Sequence, residues 1–276
     1  MASSLRLNST LKLNDGLSIP RLGLGVYLTQ SADAIKHALQ FGYRHIDTAQ
    51  WYENEEVVGE GFKASGMKRE DVWITTKIWD TNHGYNQTTK TLDESLKKAG
   101  LDFFDLVLIH SPNPGKEKRL ETYRALIDAK KQGKIKSAGV SNYGVHHIKE
   151  LLAQFPNDPP SINQIEISPF FQRKDIVTEC RKHNIALQAY SPLGKGAFVD
   201  RPELHKIGEK YKKSPAQVLI RWSLQQDFIV LPKSSNEERI KANADLYDFE
   251  LSKQDIDTLN AMETGKGVTW DPTKAP

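Results

Sequence analysis

The chain has 276 residues, 38% hydrophobic and 26% charged, with a formal net charge of +3 at pH 7. It is long enough to bury most of its surface, and its interleaved lysines and acids give no nucleic-acid face beyond a local anion site. One cysteine, Cys180, excludes an intrachain disulfide and a cysteine-rich metal cluster. No run of about 18 apolar residues exists for a membrane span, and residues 1–20 lack an apolar run of signal length, so a cytosolic chain with no metal and no membrane partner is expected.

Residues 5–19 alternate apolar and polar around Asn14-Asp15-Gly16, a hairpin pattern that would plug one end of a barrel if it precedes a first parallel strand. Residues 22–27 read as a compact strand. For Gly23, packing and ligand approach are both open; Gly25, near the strand's end, is assigned to a ligand. A helix at 32–41 leads to a strand at 45–49, and a helix at 55–64 follows, with Asn54 as N-cap and Glu55 and Glu56 in its first turn. The β-branched run 72–77 is a strand, 87–99 a helix stopped by Gly100, and 104–110 a nearly all-apolar strand suited to burial on both faces. Helices at 118–132, 147–155 and 174–183 alternate with strands at 135–140, 162–167 and 185–190. Two helices, 202–211 and 215–225, precede a strand at 228–231, and helices at 237–244 and 253–262 close the chain.

Eight strands separated by helices, with no linker or low-complexity run, predict an α/β fold of the (β/α)8 TIM barrel type. It would form one domain over residues 1–276, with an N-terminal β-hairpin plug and additional C-terminal helices. Gly23-Leu24-Gly25 lacks the third glycine and the following ribose acid of a Rossmann fingerprint.

In such a barrel the chemistry sits at the carboxyl ends of the strands, where Asp47, Tyr52, Lys77 and His110 fall. Singly each has a plain reading: Asp47 caps a helix, Lys77 is solvated, Tyr52 packs in a loop. As a set they make an acid. A phenol of ordinary pKa about 10 needs a cation to ease its proton away, Lys77 supplies one, Asp47 holds the ammonium charged, and His110 orients a substrate oxygen or relays a proton.

Three stretches, GYRHIDTAQWYENEEVVG from Gly42, KIKSAGVSNY from Lys134 and LPKSSNEERIKAN from Leu231, resemble the aldo-keto reductases. The likeness runs end to end and is greatest to small monomeric microbial carbonyl reductases, including those described as prostaglandin F synthase-like or diketogluconate reductase-like. It implies Tyr52 as general acid, Lys77 and Asp47 as the pair that tunes it, and His110 as the residue placing the carbonyl. It further implies that Ser141, Asn142 and Gln164 hold a nicotinamide carboxamide and that Tyr190 stacks on one face of the ring, although Ser141-Asn142-Tyr143 alone reads equally as a turn and helix cap. Ser191, Leu193 and Gly194 belong to a loop crossing the pyrophosphate and closing over the cofactor, and Gly25, Val26 and Tyr27 join the cofactor site. Lys233, Ser234 and Arg239, with Ser235, bind an adenosine 2′-phosphate at a helix start, which implies NADPH, and Asn243 contacts adenine. Ala242 stands where many members carry Glu or Gln, and Ser111 where close relatives carry Trp.

Tyr27, Trp51, Trp79 and Trp270, together with His110, would line a pocket for hydrophobic aldehydes and ketones; for Trp270, covering the barrel rim is an equal reading. The short tail after Met262 implies a shallow cleft. The expectation is a monomeric NADPH-dependent carbonyl reductase of small molecules. The alternative is a non-catalytic NADP(H)-sensing subunit on the same barrel, like the potassium-channel β subunits. A barrel enzyme of phosphorylated substrates would leave Ser141, Asn142 and Gln164 unexplained.

Overall fold

The computed structural model describes residues 5–276. Strands β1 (Thr10–Lys12) and β2 (Ser18–Pro20) pair antiparallel with Leu11 opposite Ile19, and Gly16, at φ 89°, supplies the left-handed turn between them. Eight parallel strands follow, paired in chain order: β3 (Leu24–Gly25), β4 (His45–Asp47), β5 (Trp73–Ile78), β6 (Phe104–Ile109), β7 (Ile135–Ser141), β8 (Ile162–Glu166), β9 (Ala186–Tyr190) and β10 (Ile229–Leu231). The ring closes where the amides of Gly23 and Gly25 donate to the carbonyls of Val230 and Pro232, each at 3.0 Å. This is the expected (β/α)8 barrel.

The hairpin is its floor. Leu13 and Ile19 pack with Trp73, Ile162 and Ile229, the residues that begin β5, β8 and β10, so the hairpin covers the amino-terminal mouth. The opposite mouth is left to loops, and that is where a parallel barrel places chemistry.

Helices α1 (Ala32–Gln40), α2 (Glu55–Ser65), α3 (Tyr85–Ala99), α4 (Lys116–Lys131), α5 (Val145–Gln154) and α6 (Lys174–Lys182) alternate with the strands. After them come α7 (Pro202–Tyr211), α8 (Pro215–Gln225), α9 (Glu237–Ala244) and α10 (Lys253–Asn260). Their apolar stripes form one cluster with the outer faces of the strands. In α3 the buried positions Thr88, Thr91, Leu92, Ser95, Leu96 and Ala99 recur at spacings of three and four, and Gly100 at φ 62° ends the helix as predicted. All of β6 is buried, as its nearly all-apolar run requires, and its one acid, Asp105, is paired with Arg69 and Lys136.

Several boundaries differ from expectation. α3 and α4 start before residues 87 and 118, since Gly84 and Gly115 at φ 105° and 93° turn the chain directly into each helix. The first strand keeps only Leu24–Gly25 in its ladder, and the second stops at Asp47 rather than Ala49. A Cβ on Gly23 would come within 2.7 Å of His45 Nδ1 and Leu231 Cδ2, so this glycine serves packing. Asn54 heads α2, but its side chain does not cap it. Its amide nitrogen donates to the carbonyls of Val26 (2.8 Å) and Thr29 (2.9 Å), and its oxygen accepts from the Thr48 hydroxyl at 2.6 Å. The residue ties two active-face loops together, and those bonds win over the single one a cap would offer.

Candidate active site

The barrel brings Asp47, Tyr52, Lys77 and His110 to one point. Asp47 ends β4, Lys77 lies in β5, His110 follows β6, and Tyr52 closes a 3₁₀ turn, Gln50–Tyr52. Gln50 sets that turn: its side-chain oxygen accepts from Trp79 N and Asn82 Nδ2, both at 2.9 Å, and its nitrogen donates to Ser95 Oγ at 3.0 Å. Lys77, fully buried, donates through Nζ to Asp47 Oδ1 at 2.5 Å and to the Thr48 carbonyl at 2.8 Å, and Tyr52 Oη lies 3.4 Å away. The two shorter contacts hold the ammonium, and the third aims it at the phenol. The His110 ring stands nearly perpendicular to that of Tyr52, centroids 5.8 Å apart, and its Nδ1 is buried without a partner among the described residues.

Neither solvated-lysine nor helix-cap readings survive here. Asp47 gives its second oxygen to Gln164 Nε2 at 2.8 Å. Burial pushes the Asp47 carboxyl up and the Lys77 ammonium down, and their mutual attraction opposes both shifts. The phenol differs from expectation. Burial, then the Asp47 charge, then Tyr27 raise Tyr52 well above the ordinary tyrosine value, so the protein groups by themselves hold its proton instead of easing it away. Burial, reinforced by the Lys77 charge and by His83, lowers His110 well below the usual histidine value, leaving it neutral at pH 7.

A polar file in the barrel interior was not anticipated. Gln164 Nε2 also donates to Gln188 Oε1 at 2.7 Å, and Gln188 reaches His45, which pairs with Thr75 at 3.1 Å. In the sequence the only signal was polar residues set among the apolar ones of β4, β5, β8 and β9.

The residues expected at the cofactor converge on the neighbouring strand ends. Ser141 Oγ donates to the Gln164 carbonyl at 2.8 Å, and Asn142, at φ 62°, donates to the His110 carbonyl at 2.9 Å and accepts from the Tyr190 hydroxyl at 2.8 Å. They cap nothing, since α5 starts after Gly144, whose amide is met by His147 Nδ1. Gly25 pairs with Asp47 across β3 and β4, Val26 N donates to the Asp47 carbonyl, and Tyr27 packs beside Tyr52. Ser191, Leu193 and Gly194 open the loop after β9, with Ser191 and Gly194 at positive φ. At the start of α9, Lys233, Ser235 and Arg239 are exposed, and neither cation has an acidic partner among the described residues. Ser234 and Asn243 are buried, and the Ser234 hydroxyl bonds to the Asn236 backbone. Asn236 caps α9 through the Arg239 amide at 2.9 Å. A planar amide with both donors and acceptors fits the first group, and a phosphate fits the second.

Four aromatic rings follow one another beside His110, the first three stacked and the fourth, Trp270, tilted against Trp79. Tyr27 lies 5.5 Å from Trp51, Trp51 5.1 Å from Trp79, and Trp79 5.9 Å from Trp270. The rings of all three tryptophans stand nearly perpendicular to that of His110. The short tail does not stop at the rim; it crosses the mouth and sets Trp270 against the site. Ser111, where a ring is absent, donates to Asp80 at 2.7 Å.

A barrel mouth that sets a buried ammonium between a carboxylate and a phenol, beside polar side chains able to meet a planar amide, has the groups that hydride chemistry with a nicotinamide needs. The profile of the aldo/keto reductase family matches residues 22–264. An aldo-keto reductase of Mycolicibacterium smegmatis is 44% identical over 269 residues, 96% of this chain and 98% of that one. A glyoxal reductase of Bacillus subtilis is 43% identical over 270 residues, 96% and 97% of the two chains. The crystal structure of a Bombyx mori aldo-keto reductase in complex with NADP superposes with a TM-score of 0.91 at 36% identity, covering 99% of this chain and 98% of that one. The chain belongs to the aldo/keto reductase family and is an oxidoreductase of that NADP(H)-dependent, carbonyl-reducing class.

Proposed function

We propose that this chain reduces aldehydes and ketones to alcohols with NADPH, Tyr52 giving the proton. The observation that carries the reading is the buried Lys77 ammonium, gripped by Asp47 and the Thr48 carbonyl, with the Tyr52 hydroxyl at 3.4 Å and His110 beside it. NADPH, when bound, supplies the hydride. Ser141, Asn142 and Gln164 hold its amide, Tyr190 stacks on its ring, Ser191, Leu193 and Gly194 cross the pyrophosphate, and Lys233, Ser234, Ser235 and Arg239 take the 2′-phosphate, with Asn243 at adenine.

Neutral His110 orients the carbonyl oxygen. The Tyr52 O–H bond breaks as that oxygen becomes alkoxide-like, and its proton moves there. An alkoxide is a stronger base than a phenolate, so a raised phenol pKa keeps the donor protonated at neutral pH without blocking the transfer. Lys77 then faces the phenolate left behind and stabilises it.

Tyr27, Trp51, Trp79 and Trp270 offer an aromatic, uncharged wall, which suits unphosphorylated hydrophobic carbonyls. The relative named glyoxal reductase supports aldehydes among them. The reading includes a monomer working in the cytosol, in keeping with the buried thiol of Cys180. No helix among the described residues is long and apolar enough to cross a membrane. The alternative of a non-catalytic sensor has no observation in its favour. The test is a panel of aldehydes and ketones followed by loss of NADPH absorbance: carbonyl-dependent consumption is expected, and none with any member would defeat the reading.

A further inference from the structure

Glu166, the last residue of β8, is only 4% exposed, yet no cation pairs with it among the described residues. Its carboxylate is satisfied by the tail instead. One oxygen accepts from Val268 N at 2.7 Å, the other from Thr269 N at 3.1 Å and from the Thr269 hydroxyl. The tail passes so close that a Cβ on Gly267 would fall 2.7 Å from Glu166 Oε2. A buried carboxylate without a counter-ion is tolerable only while such donors fill its lone pairs, so Glu166 and the tail hold each other in place. The next residue is Trp270, whose ring lies 6.2 Å from that of His110. Arg173 anchors the far side, donating to both oxygens of Asp271 at 2.9 and 2.7 Å.

The hydroxyl protons add a second link. Tyr190 gives its proton to Asn142 Oδ1 and Thr269 gives its own to Glu166, while the two hydroxyl oxygens sit 3.3 Å apart with no proton left to join them. An amide N–H arriving at Asn142 Oδ1 takes its second lone pair and shares the oxygen with the Tyr190 proton, for which Thr269 Oγ1 is the neighbouring alternative acceptor.

We propose that Glu166 and Thr269 form a latch that positions Trp270 as the outer wall of the substrate site, and that Tyr190 tightens it when a carboxamide occupies Asn142. Both are positioning residues, since neither touches the reacting atoms. The latch rests on the reading of Trp270 and Asn142 given above, but its first test does not need turnover.

Amide hydrogen exchange of residues 264–276 is measured with and without NADPH in the parent, Glu166→Gln, Thr269→Val and Tyr190→Phe. NADPH slows exchange at Val268 to Trp270 in the parent. Glu166→Gln exchanges faster there in both states, and in Tyr190→Phe, which keeps the ring, saturating NADPH no longer slows it. Kinetics supply the second test. Glu166→Gln raises KM for a bulky aromatic ketone about tenfold, the expected effect of one lost charge-assisted hydrogen bond, with little change for a two-carbon aldehyde or in the NADPH Kd. Trp270→Phe shows the same dependence on substrate size, and adding Glu166→Gln to it adds nothing. Unchanged exchange in Glu166→Gln, or a loss equal for both substrates, overturns the latch. Failure of carbonyl reduction in the parent would instead defeat the functional reading and leave the exchange result standing.

Discussion

At Tyr52, burial and the neighbouring Asp47 charge decide the protonation state, and they act in the same direction. The phenol stays protonated through the neutral range, as a donor must, and its conjugate base appears only above the ordinary tyrosine value of about 10. Alcohol oxidation, which needs that base, is therefore expected to climb through pH 10 with no plateau below it; a plateau by pH 8 in initial rates would contradict the assignment. Burial lowers His110 well below the usual histidine value, so kcat/KM for reduction is expected to run flat through the ordinary histidine value of about 6.5. A break near pH 6.5 that vanishes in His110→Gln would show a protonated imidazole at work. Asp47, Lys77 and His110 were legible because ionisable side chains stand at or just past the ends of three successive strands, and Tyr52 because it follows one of them within a short loop. The direction of the phenol shift was not, because it is set first by burial and then by the nearness of the Asp47 charge, and only the fold shows either.

At the scale of elements, the proposed function gives α9 the choice between NADPH and NADH. Lys233 and Arg239 stand at its start without acidic partners among the described residues. Arg239→Ala is expected to raise Kd for NADPH about tenfold and leave NADH nearly unchanged, since a charge-assisted bond to the 2′-phosphate is lost only in the former. Equal losses, read by quenching of protein fluorescence, would defeat the phosphate assignment. Asn54 does occupy the N-cap position that an amide before two acids suggests, but its side-chain bonds run to loops distant in sequence instead of to the helix. Asn54→Ala leaves two carbonyls and a hydroxyl short of a partner and is expected to destabilise the fold by about 2–3 kcal/mol in denaturant titrations. A change below about 0.5 kcal/mol would mean that water replaces those bonds without penalty. Glu166 and the tail escaped notice for a related reason: a strand-end acid and a Gly/Thr-rich segment have no periodicity to connect them.

Over the whole molecule the alternation of strands and helices was readable because most barrel strands are buried on both faces and most helices on one, which leaves distinct apolar periods. The closure of the barrel was readable only as a count of eight. The polar interior was hidden: Gln164, Gln188 and His45 look singly like tolerated core residues, yet together they run inward from the Asp47 end. That interior has a thermodynamic signature. Burial lowers His45 to about 3 and His83 to about 4, so the unfolded chain binds more protons than the folded one between those values and about 6.5. Stability therefore rises with pH across that window, is fully present above it, and is lost as pH falls toward 3 to 4. For His45 the loss between pH 6.5 and 4 is on the order of 3 kcal/mol. Urea titrations that show no loss over this range, or the same loss in His45→Gln, would contradict it.

The central claim is that the proton in carbonyl reduction comes from Tyr52. Single-turnover reduction by Tyr52→Phe at saturating NADPH addresses it most directly. The rate is expected to drop by about 10²–10⁴-fold, the usual contribution of a general acid, with the NADPH Kd unchanged within about twofold. A rate within a few-fold of the parent's would contradict the account.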